Sequence, residues 1–145
     1  MGHIAYINGR YLPQSEATVH IEDRGYNFAD GIYEVIAVHN GKLVDEEPHI
    51  VRLRRSLNEL KIEWPVTENA LKFLMREVIR RNHFKEGMIY MQITRGVAPR
   101  DHAFPEDAQS SLMMTIRRSK PFDAKAIAKG VCVITIPDIR WKRND

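Results

Sequence analysis

The 145-residue sequence contains a single cysteine, Cys132, which excludes an intrachain disulfide and a cysteine-based zinc site. Cys132 lies between strand-like valines, so we predict a small core residue rather than a nucleophile. The histidines outside the loop described below show no close ligand spacing, and we expect no metal site.

Long apolar runs and blocks of like charge are also absent. No run approaches the roughly 18 to 20 apolar residues needed to cross a bilayer, and the start, Met1 to Ala5, has no signal-sequence pattern. The 22 Lys and Arg against 19 Asp and Glu leave a charge of +3, too small and dispersed for a polybasic arm. We therefore expect a cytoplasmic protein that binds neither membrane nor nucleic acid.

The composition, 43% hydrophobic and 28% charged, is typical of a compact domain with a real core. Asn8-Gly9 between two short apolar runs predicts a tight hairpin, and Asn40-Gly41 predicts a second one between 31–39 and 42–44. Along 31–39 the strand period places Tyr33 on one face and Glu34 on the other, with Ile32, Ile36 and Val38.

Two segments after the second hairpin have apolar residues at helical spacing. Ile50, Leu53, Leu57 and Leu60 recur at helical spacing after Pro48, and Thr67 is a plausible N-cap for a second amphipathic helix. Strands are predicted at 88–94, 111–116 and 131–136. These elements form an α+β unit over residues 1–120, followed at 121–145 by an interdomain linker and the first strand of an incomplete second domain.

The loop from Arg95 to Pro105 follows the 88–94 strand and contains glycine and two prolines. Arg100 has a planar fork of donors suited to a carboxylate, and His102 can add a donor or a proton. The pair indicates an anion trap. The alternative is that both are solvated loop residues.

Four segments in this order resemble the N-terminal half of D-amino acid aminotransferases, which are fold-type IV enzymes dependent on pyridoxal 5'-phosphate. They are EDRGYNFADGIYEV (22–35), HIVRL (49–53), TRGVAPRDHAFP (94–105) and DIRW (138–141). The resemblance implies the small N-terminal α+β domain of that fold and the start of its larger second domain. It also implies a homodimer.

Carried over by position, Arg52 resembles the arginine that grips the cofactor phosphate, whereas spacing alone does not separate it from Arg54 and Arg55. Tyr33, Arg100 and His102 match the residues that hold the substrate α-carboxylate in that family. The alternative for Tyr33 is an aromatic side chain packed in the core. Arg140 matches a segment that runs into the active site, and we assign it no role.

The resemblance places the lysine that carries the cofactor two residues beyond the position of Asp145. We therefore expect the N-terminal part of a transaminase that exchanges an amino group between D-amino acids and 2-oxo acids, and no catalytic residue or activity in the 145-residue chain alone. The remainder of the parent chain would complete the enzyme.

Two alternatives stay open at this point. One is another fold-type IV activity, such as branched-chain or (R)-amine transamination or aminodeoxychorismate lyase, against which Arg100 and His102 argue. The other is a non-catalytic α+β module that binds an anion or a protein.

Overall fold

An antiparallel sheet with two long helices on one face is the centre of the computed structural model, which describes residues 3–119 and 124–139. Its elements in chain order are β1 (Ile4–Ile7), β2 (Arg10–Pro13), α1 (Arg24–Phe28), β3 (Gly31–His39), β4 (Lys42–Leu43), α2 (Glu46–Leu60), α3 (Glu68–Asn82), β5 (Gly87–Thr94), β6 (Ser111–Arg117) and α4 (Ala124–Lys129). The six-stranded sheet has the order β2-β1-β6-β5-β3-β4. The predicted α+β class is confirmed.

Both predicted hairpins are present. β1 pairs with β2 across Asn8 and Gly9, and β3 pairs with β4 across Asn40 and Gly41. All four turn residues have positive φ, between 43° and 89°, which asparagine and glycine adopt at low cost. These turns set the register of the strands on either side.

The two long helices pack on the sheet through their apolar stripes. α2 contacts β3, and α3 contacts β6 and β1. The side chains of Leu53, Leu57 and Met75 are fully buried. Thr67 is the N-cap of α3, as predicted, because its hydroxyl accepts a hydrogen bond from the backbone N–H of Ala70 at 3.3 Å.

The two faces of β3 have different environments. Ile32, Glu34, Ile36 and Val38 are buried on the helix side, and the residues between them lie on the open face. Tyr33 is 65% exposed there, so the alternative that its ring is packed in the core is wrong. The predicted alternation along β3 is confirmed.

The predicted strand at 131–136 is not formed. Residues 131–139 have no regular secondary structure, and Val131, Val133 and Ile134 are 83%, 78% and 88% exposed. Cys132 is exposed as well, so its predicted place in the core is wrong. β-branched residues favour a strand only where a neighbouring strand supplies hydrogen bonds and another layer covers the side chains.

The remaining expectations for the end of the chain have different outcomes. The linker sequence leads into α4, a short helix that the sequence analysis did not predict. Arg140 lies outside the described residues.

Among the helices that the structure does describe, none has both the length and the apolar character to cross a membrane.

Candidate active-site residues

Arg52 is held by a buried carboxylate. Its Nε donates to Oε1 of Glu34 at 2.7 Å and its Nη2 donates to Oε2 at 2.5 Å. The Glu34 side chain is 3% exposed, whereas that of Arg52 is 60% exposed. The two hydrogen bonds fix the plane of the guanidinium and leave its Nη1 donors to bind another group.

His49 completes this cluster from one turn earlier on α2. Its Nδ1 lies 2.8 Å from Oε2 of Glu34 and 3.4 Å from Nη2 of Arg52. Burial raises the pKa of the Glu34 carboxyl, but hydrogen bonds from Arg52 and His49 outweigh burial and hold the pKa below its ordinary value. Glu34 is therefore ionised at neutral pH and acts as a fixed acceptor.

The structure separates Arg52 from Arg54, which the sequence could not do. Arg54 makes a similar bidentate pair with Glu68, with both distances 2.7 Å, but the Glu68 side chain is 31% exposed on the helix surface. Only the Arg52 pair reaches back into the sheet. Its partner also follows Tyr33 directly in β3.

Tyr33 lies on the open face of the sheet, with its ring stacked on that of Tyr90 at 5.8 Å between centroids. The pKa of Arg52 is raised mainly by the hydrogen bond and charge of Glu34 and to a smaller extent by Tyr33. The predicted phosphate-binding Arg52 is bound by Glu34, which follows the predicted substrate-binding Tyr33 directly in β3 but lies on the other face of the sheet.

Arg100 and His102 both lie against the ring of Phe28. The Arg100 guanidinium carbon lies 5.1 Å from the centre of the Phe28 ring, and the His102 ring centroid lies 5.5 Å from it. Both residues are exposed on the loop after β5, as expected. The structure thus groups Arg100 with His102 against the ring of Phe28.

A buried ion cluster lies beneath that loop. Nε of Arg24 donates to Oδ2 of Asp30 at 2.8 Å, and Arg95 donates to the same carboxylate from Nε at 2.8 Å and from Nη2 at 3.0 Å. Arg24 also donates to the backbone oxygens of Asp101 and Ala103, at 2.8 and 3.2 Å. The loop is therefore tied to α1 and to the start of β3.

Sequence reasoning missed five polar residues of these clusters. They are Arg24, Asp30, Glu34, His49 and Arg95. One signal was present: Glu34 shares the core face of a predicted strand with three aliphatic residues, and a carboxylate at such a position needs a partner. For Arg24 and Arg95 the pattern held no signal, because each lies in a polar turn or loop sequence.

The described residues contain no group of three or more His, Cys, Asp and Glu side chains placed to hold a metal ion. The exposed Arg52 guanidinium is instead suited to anions. A phosphate group matches the free donors of Arg52, because arginine binds phosphate oxygens through parallel N–H bonds.

The fold of this chain is that of the N-terminal part of aminotransferases. The structure superposes on the branched-chain amino acid aminotransferase of Escherichia coli with a TM-score of 0.77 at 18% identity, over 87% of this chain and 43% of that one. The branched-chain aminotransferase of the thermophilic archaeon Thermoproteus uzoniensis, solved with norvaline, gives 0.69 at 24% identity, over 81% and 41%. These similarities define the fold.

Sequence comparison identifies the family. Residues 31–144 match the model of the amino-transferase class IV family, and the chain belongs to that family. It is 41% identical to the D-alanine aminotransferase of Staphylococcus haemolyticus over 142 residues, which are 97% of this chain and 50% of that protein. The chain spans about half the length of the curated relatives it matches.

Proposed function

We propose that this chain supplies the phosphate-binding and carboxylate-binding residues of a transaminase that exchanges an amino group between D-amino acids, D-alanine among them, and 2-oxo acids. The observation that carries the proposal is the exposed Arg52 guanidinium, held by buried Glu34 and open on its Nη1 side. Similarity to D-alanine aminotransferases supports the choice of substrate.

Pyridoxal 5'-phosphate is the cofactor that this family membership implies, and the residues present fit its phosphate. When bound, it supplies the electron-withdrawing ring system that allows an amino group to be exchanged. Arg52 would hold the phosphate as a fixed, permanently charged donor. Glu34 and His49 would keep that donor in place, because a free arginine side chain loses rotamer entropy of about 1.5 to 2 kcal/mol when it is fixed.

Arg100, His102 and Tyr33 would bind the substrate carboxylate. Arg100 offers a charged fork, His102 a ring N–H and Tyr33 a phenolic O–H, and all three side chains are exposed. Fixing the carboxylate orients the α-carbon relative to the cofactor, so these donors would determine which enantiomer presents its α-hydrogen correctly.

We propose the same domain division as the sequence predicts, with a small domain over 1–120 and a linker with the start of a second domain over 121–145. The remainder of the parent chain would supply the lysine that carries the cofactor. We also propose a cytoplasmic homodimer, on the basis of the family.

The double variant R100A/H102A of the full-length enzyme tests the substrate assignment. We expect the KM for D-alanine to rise by about 100-fold, since a charged hydrogen bond contributes roughly 1.5 to 3 kcal/mol. Discrimination between D- and L-alanine should fall as well. R118A is a matched control, because Arg118 lies 5.1 Å from the Phe84 ring, the distance of Arg100 from Phe28. We call the proposed binding of the substrate carboxylate by Arg100 and His102 the carboxylate trap. Unchanged D-alanine kinetics in the double variant would disprove it.

The variant R52A tests the cofactor assignment separately. We expect the dissociation constant of pyridoxal 5'-phosphate to rise by about 100-fold, whereas R54A should leave it unchanged. Dialysis followed by absorbance titration with the cofactor measures both. Equal affinities in R52A and R54A would remove Arg52 from the phosphate site.

A further inference from the structure

We infer that Arg24, fixed by Asp30, is the positioning residue that sets the loop carrying Arg100 and His102, and thereby the affinity of the enzyme for substrate carboxylates. This inference rests on the proposed function. Neither Arg24 nor Asp30 is placed to bind the substrate in that function, and both act through the loop backbone.

The contacts of Arg24 bracket His102. Its Nη1 donates to the backbone oxygens of Asp101 and Ala103, the residues immediately before and after His102. A loop with two of three consecutive carbonyls bound to one buried guanidinium has little freedom at the residue between them. The direction in which His102 leaves the backbone is therefore determined by Arg24.

Arg24 and Arg100 also share an aromatic ring. The guanidinium carbon of Arg24 lies 4.7 Å from the centre of the Phe28 ring, and that of Arg100 lies 5.1 Å from it. Phe28 belongs to α1, the same short helix as Arg24. Cation–π attraction thus holds Arg100 against an element whose position Arg24 also determines.

Asp30 provides the fixed point of this arrangement. It accepts hydrogen bonds from Arg24 and Arg95, and Arg95 donates in addition to the carbonyl oxygens of Leu60 and Lys61, both at 2.8 Å. These carbonyls lie at the end of α2, the helix that carries Arg52. One carboxylate therefore connects the loop, β3 and the helix of the proposed phosphate site.

Compared with apolar residues of similar volume, the composition of this cluster favours positioning over stability. Two guanidiniums and one carboxylate, with side chains 3%, 11% and 9% exposed, are removed from water, and desolvation of such ions can exceed their mutual attraction. Apolar residues of similar volume would fill the same space at lower cost. What the ions provide is directional hydrogen bonding to loop carbonyls, which apolar side chains lack.

The variant R24K in the full-length holoenzyme tests the inference. A lysine keeps the charge beside Asp30, but its single ammonium group cannot reach the carboxylate and both carbonyls in the fork geometry of arginine. We expect the KM for D-alanine to rise by about 10-fold or more, because a misplacement of about 1 Å is costly. The value of kcat and the affinity for pyridoxal 5'-phosphate should stay within about twofold.

Binding of acetate provides a readout without turnover. Its inhibition constant against D-alanine in R24K should rise by the same factor as the KM, because acetate has only the carboxylate. R81K is the matched control: Arg81 lies over the Tyr11 ring at 4.0 Å and pairs with Glu77, away from the loop. A merely structural role would lower the melting temperature, kcat and cofactor affinity together, without a selective shift in KM.

The outcomes separate the inference from the proposed function when R100A is measured in parallel. A raised KM in R100A with an unchanged KM in R24K overturns the role of Arg24 and leaves the carboxylate trap intact. An unchanged KM in R100A overturns the trap itself. If R24K does not fold, D30N, which keeps the shape of Asp30 but removes its charge, should show the selective KM increase, and an unchanged KM in D30N overturns the inference.

Discussion

The guanidinium of Arg52 and the carboxylate of Glu34 face each other as two planar forks, joined by hydrogen bonds of 2.7 and 2.5 Å. Glu34 lies on the core face of β3 and Arg52 on the partly exposed side of α2, so the pair connects the sheet to the helix. An exposed arginine would otherwise sample many rotamers. The carboxylate selects one of them.

The first prediction concerns this pair. E34Q in the full-length enzyme should weaken binding of pyridoxal 5'-phosphate by about 10-fold, because the guanidinium is no longer held by a charged acceptor and loses entropy on binding. Absorbance titration of the apoenzyme measures the change. E68Q is the control, since it disrupts the bidentate pair of Arg54 on the same helix. An equal effect of the two variants would contradict a specific role for Glu34.

The second prediction is a loss of stability in acid that depends on Asp30. Burial raises the pKa of its carboxyl, but hydrogen bonds from Arg95 and Arg24 prevail and lower the pKa below 3.8, its ordinary value. As the pH falls, the unfolded chain therefore binds this proton at a higher pH than the folded chain does. Asp30 contributes stability above about pH 3.8, and this contribution is lost as the pH falls through the lower, folded-state pKa.

Melting temperatures measured from pH 7 down to pH 3 check this sign. D30N should have a lower melting temperature than the wild type at neutral pH. The difference between the two melting temperatures should become smaller below about pH 4. The exposed Glu63 provides the control, because E63Q should follow the wild-type curve. A gap that is constant with pH would show that the charge of Asp30 does not stabilise the fold.

The third prediction concerns Gly96, which follows Arg95 in the loop. Its φ is +101°, and a Cβ there would lie 1.8 Å from the backbone oxygen of Gln109. Gly9 also has positive φ, +89°, but a Cβ there would meet nothing within 4 Å. In both G9A and G96A the alanine must adopt a positive φ, which costs an L-residue about 1 to 2 kcal/mol.

Only G96A adds a backbone collision. We expect G96A to reduce stability by at least about 2 kcal/mol more than G9A, as overpacking does in tight sites. Thermal unfolding of the two variants side by side gives this difference. Equal melting temperatures would mean that the loop moves aside without cost.

The fourth prediction concerns the exposed ring of Tyr33. Y33F should raise the KM for D-alanine by about 10-fold or more, because a hydrogen bond to a charged carboxylate contributes roughly 1.5 to 3 kcal/mol, and leave the melting temperature unchanged. Y26F is the matched control, because Tyr26 is 75% exposed on α1 and has no proposed role. A KM shift of the same size in Y26F would remove Tyr33 from the carboxylate site.

Local patterns in the sequence were sufficient for most of the fold. The turns at Asn8-Gly9 and Asn40-Gly41, the helical spacing of Ile50, Leu53 and Leu57, and the alternation along β3 all appear in the structure as predicted. Each depends on residues a few positions apart, and backbone geometry converts such spacing directly into a helix face or a strand face. The predicted site residues were selected by family resemblance, and their roles stay predictions.

Contacts between segments far apart in the chain could not be predicted from local patterns in the sequence. The strand order, with β1 beside β6, joins segments about a hundred positions apart, and no local pattern specifies it. The strand predicted at 131–136 shows the reverse case, in which β propensity was strong and pairing decided the outcome. Propensity alone does not form a ladder.

By itself, the sequence determined the class of the fold, its two hairpin turns and two long helices, and the family to which the chain belongs. Only the tertiary structure decided that Glu34 clamps Arg52 and that Asp30 joins Arg24 to Arg95. The physical reason is that a buried charge must find its partner in space. Those partners lie 18 positions from Glu34, and 6 and 65 positions from Asp30, at distances that only the packed sheet and helices bring within hydrogen-bond reach.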